Sequence, residues 1–319
     1  MEVPTSFTLN NGHKLPSIGL GTFQSNDDPS KVKSAVKLSL ELGYRHIDCA
    51  DAYGNEKEVG EAIKESGVPR HEIFVTTKLV YQVSAYANLL ISKFPMPILR
   101  AKTTKQSDTQ VAMERDYPET WKAMEKLVDL DKARSIALGK TPERTITLIS
   151  TDSNIGLSNF NILKTKRILE IARIRPAVNQ VEIHPYFPQK ELFQLSSKND
   201  ILLMAHQPLG GRPLDVVRGN PDRPLPTEDP EACKLRAFKG VCLSWIVQRG
   251  IPAVPKSSHA LHMAQNIQLK RLGEGDLFLI DRLSSQRGPA RFLDPSRHLG
   301  FDIFDEESDQ PVDNQAPWD

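Results

Sequence analysis

The chain has 319 residues, 39% of them hydrophobic and 25% charged, which is enough to bury the core of one large α/β barrel or of two ordinary domains. Its 41 basic side chains against 40 acidic ones leave a formal charge of +1, which excludes the strong fields that draw proteins to nucleic acid or anionic membranes and leaves a small molecule as the expected partner. No run reaches the ~18 apolar residues of a membrane span, the start lacks a signal-peptide pattern, and Cys49, Cys233 and Cys242 lack metal-ligand spacing, so buried or free thiols in a reducing cytoplasm are expected.

Phe7 to Leu15 predicts a hairpin, because Asn10-Asn11-Gly12 tolerates positive φ between two alternating apolar runs, and such a hairpin could plug one end of a barrel. Ser17 to Leu20 is a short strand. Asp28-Pro29 caps and begins a helix that Gly43 ends. Arg45 to Ala50 is an apolar strand, and Asn55 with Glu58 has capping-box spacing for a second helix that Gly67 closes. Ile73 to Leu79 is the next strand. Pro118 to Val128 is helical, with Trp121, Met124 and Leu127 on one face. Val178 to Ile183 and Ile201 to Ala205 are strands, Gly240 to Arg249 a buried helix, Ile251 to Pro255 a final barrel strand and His259 to Leu269 a helix.

Short apolar strands alternating with helical patterns imply parallel βαβ units, most of an eight-unit barrel in a single domain spanning residues 1–319. Residues 281–319, rich in Asp, Arg, Ser and Pro, are expected as an ordered C-terminal loop that can shape a pocket at the barrel mouth.

The run Gly43-Tyr44-Arg45-His46-Ile47-Asp48-Cys49-Ala50-Asp51-Ala52-Tyr53-Gly54-Asn55-Glu56 resembles the first signature of the aldo-keto reductases, and Thr76-Thr77-Lys78-Leu79 resembles their next strand end. The resemblance implies a (β/α)8 TIM barrel and reduction of an aldehyde or ketone, with Tyr53 as proton donor beside Lys78 and Asp48. An ammonium near the phenol favours phenolate, and a carboxylate pairs with and orients the lysine. Singly, each of these residues also reads as a strand-end cap or a solvated charge. Their joint position after successive strands is what marks the face where such barrels place their chemistry.

A second group, Gly156-Leu157-Ser158-Asn159-Phe160-Asn161 and Asn179-Gln180-Val181-Glu182-Ile183-His184-Pro185, resembles the family's nicotinamide site. Ser158, Asn159 and Gln180 match the residues that bond the carboxamide and fix one ring face toward the substrate. His206 stands where the family has a tyrosine stacked on nicotinamide, and Leu209 lies in the loop expected to cross the pyrophosphate. Lys256 and Ser257 resemble the segment that binds an adenosine 2′-phosphate, and Asn266 matches an adenine contact. The family's usual arginine is His262 here and its usual glutamate is Gln265. NADP(H) is therefore the expected cofactor, with NAD(H) less strongly excluded. There is no GxGxxG fingerprint and no metal motif. The resemblance implies a monomer.

Three stretches depart from the family. Between Lys78 and Lys93 there is too little chain for a crossover helix and the next strand, which need ~30 residues. Leu89-Leu90-Ile91-Ser92-Lys93 resembles the fourth-strand end, but the active-site histidine aligns with Lys93, whose ammonium could instead hold Tyr53 deprotonated. Residues 137–154 stand as an insertion against strand 5, with Thr145 to Ile149 able to pair as a strand of their own, and the helix around Glu231 to Gly240 is short. These departures keep a second reading open, a non-catalytic nicotinamide-binding or regulatory protein. A third, hydrolase or isomerase chemistry on the same barrel, has no metal or nucleophile to support it. The strand-end motif and the tail Phe301 to Glu307 look like fungal members acting on sugar-derived or specialised-metabolite carbonyls.

Overall fold

The computed structural model describes residues 2–23, 29–50, 53–79, 88–92, 117–129, 154–210, 238–287 and 291–293. The expected hairpin forms from β1 (Ser6–Thr8) and β2 (Lys14–Pro16), antiparallel with Phe7 opposite Leu15. Gly12 at φ 89° supplies the left-handed turn between them.

The barrel sheet follows in the order β3 (Leu20–Gly21), β4 (His46–Asp48), β5 (Phe74–Leu79), β6 (Asn88–Ser92), β7 (Asn154–Ser158), β8 (Val178–Glu182) and β9 (Leu202–His206). The eighth position is filled by residues 251–256, which bridge in parallel to Ala205 on one side and to Ile18 and Gly21 on the other. Hydrogen bonds from Ala205 N to Pro252 O, 2.8 Å, and from Gly19 N to Ala253 O, 2.9 Å, join the two edges through this segment. Two strand pairs in each half, within β3–β4–β5 and β7–β8–β9, run parallel as the alternating pattern predicts.

The expected fourth strand departs from this rule. β6 is antiparallel to both neighbours, with Lys78 opposite Leu90 and Leu90 opposite Gly156. A parallel return needs a crossover of a dozen or more residues, and residues 80–87 are too few to provide one. The strand that the missing helix would have turned around is therefore reversed. Of strand 5, Asn154–Ser158 forms β7, which begins at the last residue of the expected insertion. Residues 137–153, including Thr145 to Ile149, and the shortened stretch 231–237 lie outside the described residues.

Helices pack around the sheet as α1 (Pro29–Glu41), α2 (Glu56–Glu65), α3 (Tyr117–Asp129), α4 (Ile162–Ile171), α5 (Lys190–Lys198), α6 (Lys239–Gln248), α7 (Ala260–Ile267) and α8 (Glu274–Arg287). The main core joins Val36, Leu40 and Ile47 to Leu203, Leu243, Trp245 and Ile251, so the first and last units share one interior. On α3, Trp121 and Met124 are buried against Ile155, Leu157 and Ile168, as their spacing predicts. Leu127 contributes a side chain outside the described residues. Glu125, also buried, accepts from Trp121 Nε1 at 3.0 Å and from Ile174 N at 2.8 Å, which ties α3 to the end of α4.

Two local expectations are corrected. Asn55 precedes α2 but makes no side-chain cap; its Nδ2 donates instead to Thr22 O at 3.0 Å, because the residue is buried against the strand-end loop that carries Thr22. Residues 281–287, expected in the C-terminal loop, continue α8. Asp281 accepts from Trp245 Nε1 at 2.9 Å, while Leu277, Ile280 and Leu283 pack inward at helical spacing. Cys49 and Cys242 are buried cysteines that form no disulfide among the described residues, and Cys233 lies outside the described residues. No helix among the described residues is long and apolar enough to cross a membrane.

Candidate active site

The ends of β4 and β5 and the middle of β8 bring three polar side chains together inside the barrel sheet. Lys78 Nζ donates to Asp48 Oδ2 at 2.6 Å, and Gln180 Nε2 donates to Asp48 Oδ1 at 2.7 Å. Lys78 also donates to Cys49 O at 3.2 Å. The Asp48 and Lys78 side chains are 4% and 2% exposed, so neither charge has water as an alternative partner. Every oxygen of the carboxylate is engaged, which orients the lysine.

Tyr53 is placed over this pair. Lys78 Nζ lies 5.4 Å from its ring centroid, and Phe23 packs edge-on to the same ring at 5.1 Å. Burial pushes the phenol above its ordinary range, and the Lys78 ammonium pulls it back without cancelling the shift. The direction differs from the expectation for an ammonium neighbour alone, since desolvation is the larger effect. For Lys78, burial disfavours the charge, but Asp48 and the phenol outweigh it and hold the ammonium charged.

Several supporting contacts were not legible in the sequence. Thr22 N and Oγ1 both donate to Asp48 O at 3.0 Å, fixing the end of β4 against β3. Thr77 Oγ1 donates to Glu56 Oε1 at 2.5 Å, linking β5 to the start of α2. Thr77 and Glu56 stand inside the quoted signature runs, but nothing in the runs pairs them, and Thr22 lies in no motif.

The second group is also convergent. Ser158 is opposite Gln180 in the parallel register, buried at the end of β7. Asn159 follows with φ 61° and accepts from His206 Nε2 at 2.7 Å, which joins the ends of β7 and β9. Burial lowers the His206 imidazole to about 4 against the opposing charge of Glu182, so the ring is neutral at neutral pH. Leu209 follows in a turn closed by Gly210 N to Gln207 O, 2.9 Å. Gln180 does more than the sequence suggested: its amide nitrogen is committed to Asp48.

The third group lies apart, after the closing segment. Lys256 is exposed beside Gly21, and Ser257 Oγ accepts from His259 N at 3.2 Å before α7. His262 is exposed on α7, 5.3 Å from the His259 ring. Asn266 is buried, with its amide hydrogen-bonded to the Tyr44 hydroxyl, which itself donates to Met263 O at 3.0 Å. Lys93 lies outside the described residues. Ser92, just before it, pairs with Asn154 at the start of β7, whereas Asn88 pairs with Ser158 at the chemical end. A groove of about 840 Å³ opens at the opposite, N-terminal face between Pro4, Pro16, Tyr44, Arg45 and Ile267 and contains none of the residues above that carry charge in the site.

The family model described as Aldo/keto reductase family matches residues 17–154 and 152–283. An uncharacterized oxidoreductase of Schizosaccharomyces pombe is 34% identical over 314 residues, covering 90% of this chain and 89% of that protein. Aldo-keto reductase family 1 member A1 of Rattus norvegicus is 36% identical over 296 residues, covering 83% and 84%. The crystal structure of a Bombyx mori aldo-keto reductase in complex with NADP matches with a TM-score of 0.64 at 25% identity, over 95% of this chain and 99% of that one.

Proposed function

This chain belongs to the aldo-keto reductase family, and from that premise we propose that it reduces an aldehyde or ketone to an alcohol with NADPH, Tyr53 supplying the proton. The observation that carries the reading is the buried Asp48–Lys78 pair beneath the Tyr53 ring. The wider arrangement fits a dinucleotide. Two buried carbonyl oxygens near the expected cofactor positions, Gln207 Oε1 and Asn266 Oδ1, accept no hydrogen bond among the described residues, which suits the N–H donors of such a ligand.

NADPH, when bound, would supply the hydride that a carbonyl carbon takes up. Tyr53 Oη holds the proton that the carbonyl oxygen takes up as its π electrons move onto it, and burial keeps that phenol protonated until then. Lys78 stabilises the phenolate left behind, Asp48 and Gln180 keep Lys78 in place, and water restores the proton. Ser158 and Asn159 would hold the nicotinamide amide, His206 would face its ring, Leu209 would belong to the loop over the pyrophosphate, and Lys256, Ser257 and His262 would receive the 2′-phosphate. NADP(H) is favoured as donor by Lys256, the cation of the motif that resembles a 2′-phosphate segment.

One observation favours a second reading, a protein that binds nicotinamide cofactor without turnover: β6 is reversed, so the strand that should bring a histidine to the substrate runs the other way. Titration of the purified protein with NADPH, followed by nicotinamide fluorescence, and then by aldehydes and ketones including sugar-derived ones, separates the two. Saturable binding with oxidation, lost in Tyr53→Phe while binding is kept, supports the reductase. Binding with no oxidation of any carbonyl supports the second reading, and absence of binding by a folded sample removes both.

A further inference from the structure

Glu182, the last residue of β8, is a carboxylate with no exposed side-chain surface, and the mechanism above does not use it. A buried charge persists only where donors converge on it. Three do. His184 Nε2 lies 2.9 Å from Oε1, Phe292 N donates to Oε1 at 2.6 Å and Leu293 N donates to Oε2 at 2.8 Å. Burial works against the charged carboxyl, yet the bond from His184 and the other nearby donors outweigh it and keep it ionised. Two of the three donors belong to a segment 110 and 111 positions further along the chain. Burial of Glu182 as a charge is therefore conditional on that segment being docked.

The segment is held on both flanks of the carboxylate. The Arg291 guanidinium sits 4.4 Å from the centroid of the Phe187 ring, and the Phe292 ring lies 4.8 Å from His184 and packs with Tyr186, Cys242 and Leu209. On its other side Phe292 covers Gly210, where an added Cβ would come within 2.7 Å of Phe292 Cε2 and where φ is already 62°. Gly210 closes the turn that starts at Gln207, directly after His206, whose ring is tied to Asn159. One continuous contact chain thus runs from Glu182 through Phe292 to the loop 207–210.

We propose that Glu182 is a positioning residue, a clasp that fastens residues 291–293 onto the barrel mouth and, through Phe292 against Gly210, braces loop 207–210 for the cofactor. Cofactor affinity then depends on whether the C-terminal segment is docked, although that segment supplies no group to the reaction. This rests on the reading that the barrel mouth holds NADPH.

The test uses full-length Glu182→Gln and Phe292→Ala, with two readouts: amide hydrogen exchange of peptides covering 291–293, and the NADPH dissociation constant measured well below the melting temperature. Glu182→Gln replaces one acceptor oxygen by an NH2 that faces a backbone N–H, so exchange at 291–293 speeds up and affinity weakens about tenfold, a common size for coupling between sites. Phe292→Ala leaves Glu182 intact and weakens affinity by removing the brace; it also carries the test should Glu182→Gln fail to fold. Unchanged exchange in Glu182→Gln overturns the clasp. Faster exchange with unchanged affinity in both variants overturns the coupling, since a merely structural role lowers the melting temperature alone. Failure of the unsubstituted protein to bind NADPH removes the cofactor reading and the coupling together, while the exchange readout still decides the clasp by itself.

Discussion

Lys78 Nζ lies 2.6 Å from Asp48 Oδ2 on the neighbouring strand, with both side chains withdrawn from water and Gln180 holding the second carboxylate oxygen. The pair is specific in its consequence: the cation can be aimed at Tyr53 only while the carboxylate is ionised and held.

Lys78→Met keeps the side-chain length and removes the charge, leaving Asp48 with Gln180 alone. Breaking a buried pair from one side costs about 3–5 kcal/mol, and a phenolate without its cation slows proton transfer by about 100-fold or more. Thermal melts and steady-state rates read the two effects. The double variant Asp48→Leu with Lys78→Met regains stability but not turnover; a double variant that reduces carbonyls at the original rate would remove Lys78 from the mechanism.

His46 is fully buried, its Nε2 2.8 Å from Thr76 Oγ1 and its Nδ1 without a partner among the described residues, and burial lowers it from 6.5 to about 4. With the folded value below the unfolded one, the unfolded chain binds the proton first. This contribution to stability is complete above pH 6.5 and is lost as pH falls towards 4, by about 3 kcal/mol in all. Denaturant titrations across that range, with His46→Phe as comparison, give a shallower acid slope in the variant. Equal slopes would mean that His46 is not the group that titrates.

Gly156 in β7 faces the backbone of β8 so closely that an added Cβ would stand 2.6 Å from Val178 O. Gly156→Ala must push the two strands apart next to Ser158 and Gln180. Overpacking of this kind costs about 1–3 kcal/mol. A lower melting temperature together with weaker NADPH binding is expected, and an alanine variant as stable as the parent would show that β7 and β8 can separate freely there.

Lys256 is exposed, so its removal has little effect on folding. Lys256→Ala weakens NADPH binding by about tenfold, the loss of one charge-assisted contact to phosphate, and leaves NADH binding unchanged. Added salt reduces the difference between the two cofactors in the parent protein. Equal losses for NADPH and NADH would place Lys256 away from the 2′-phosphate.

Much of the barrel was legible because its signals are local. The Asn10-Asn11-Gly12 turn, the helix with Trp121 and Met124 and the strands around Ile47, Val75 and Leu203 each follow from turn chemistry or from the spacing of apolar residues, and the structure forms them within a few residues of the expected bounds. The capping role given to Asn55 was not legible, since the choice between its own helix and Thr22 O depends on a strand end 33 positions away. The direction of Tyr53's shift required the depth of burial as well as the neighbour's charge.

By itself the sequence determined the alternation of strands and helices, the family signature that carries Asp48, Tyr53 and Lys78, and the shortage of chain after Leu79. Only the tertiary structure decided that this shortage reverses β6, that Gln180 completes the grip on Asp48, and that Glu182 is satisfied by Phe292 and Leu293. Periodicity and turn residues act over a few neighbours, whereas strand direction and the partners of a buried charge are set by what the folded chain brings within hydrogen-bond reach.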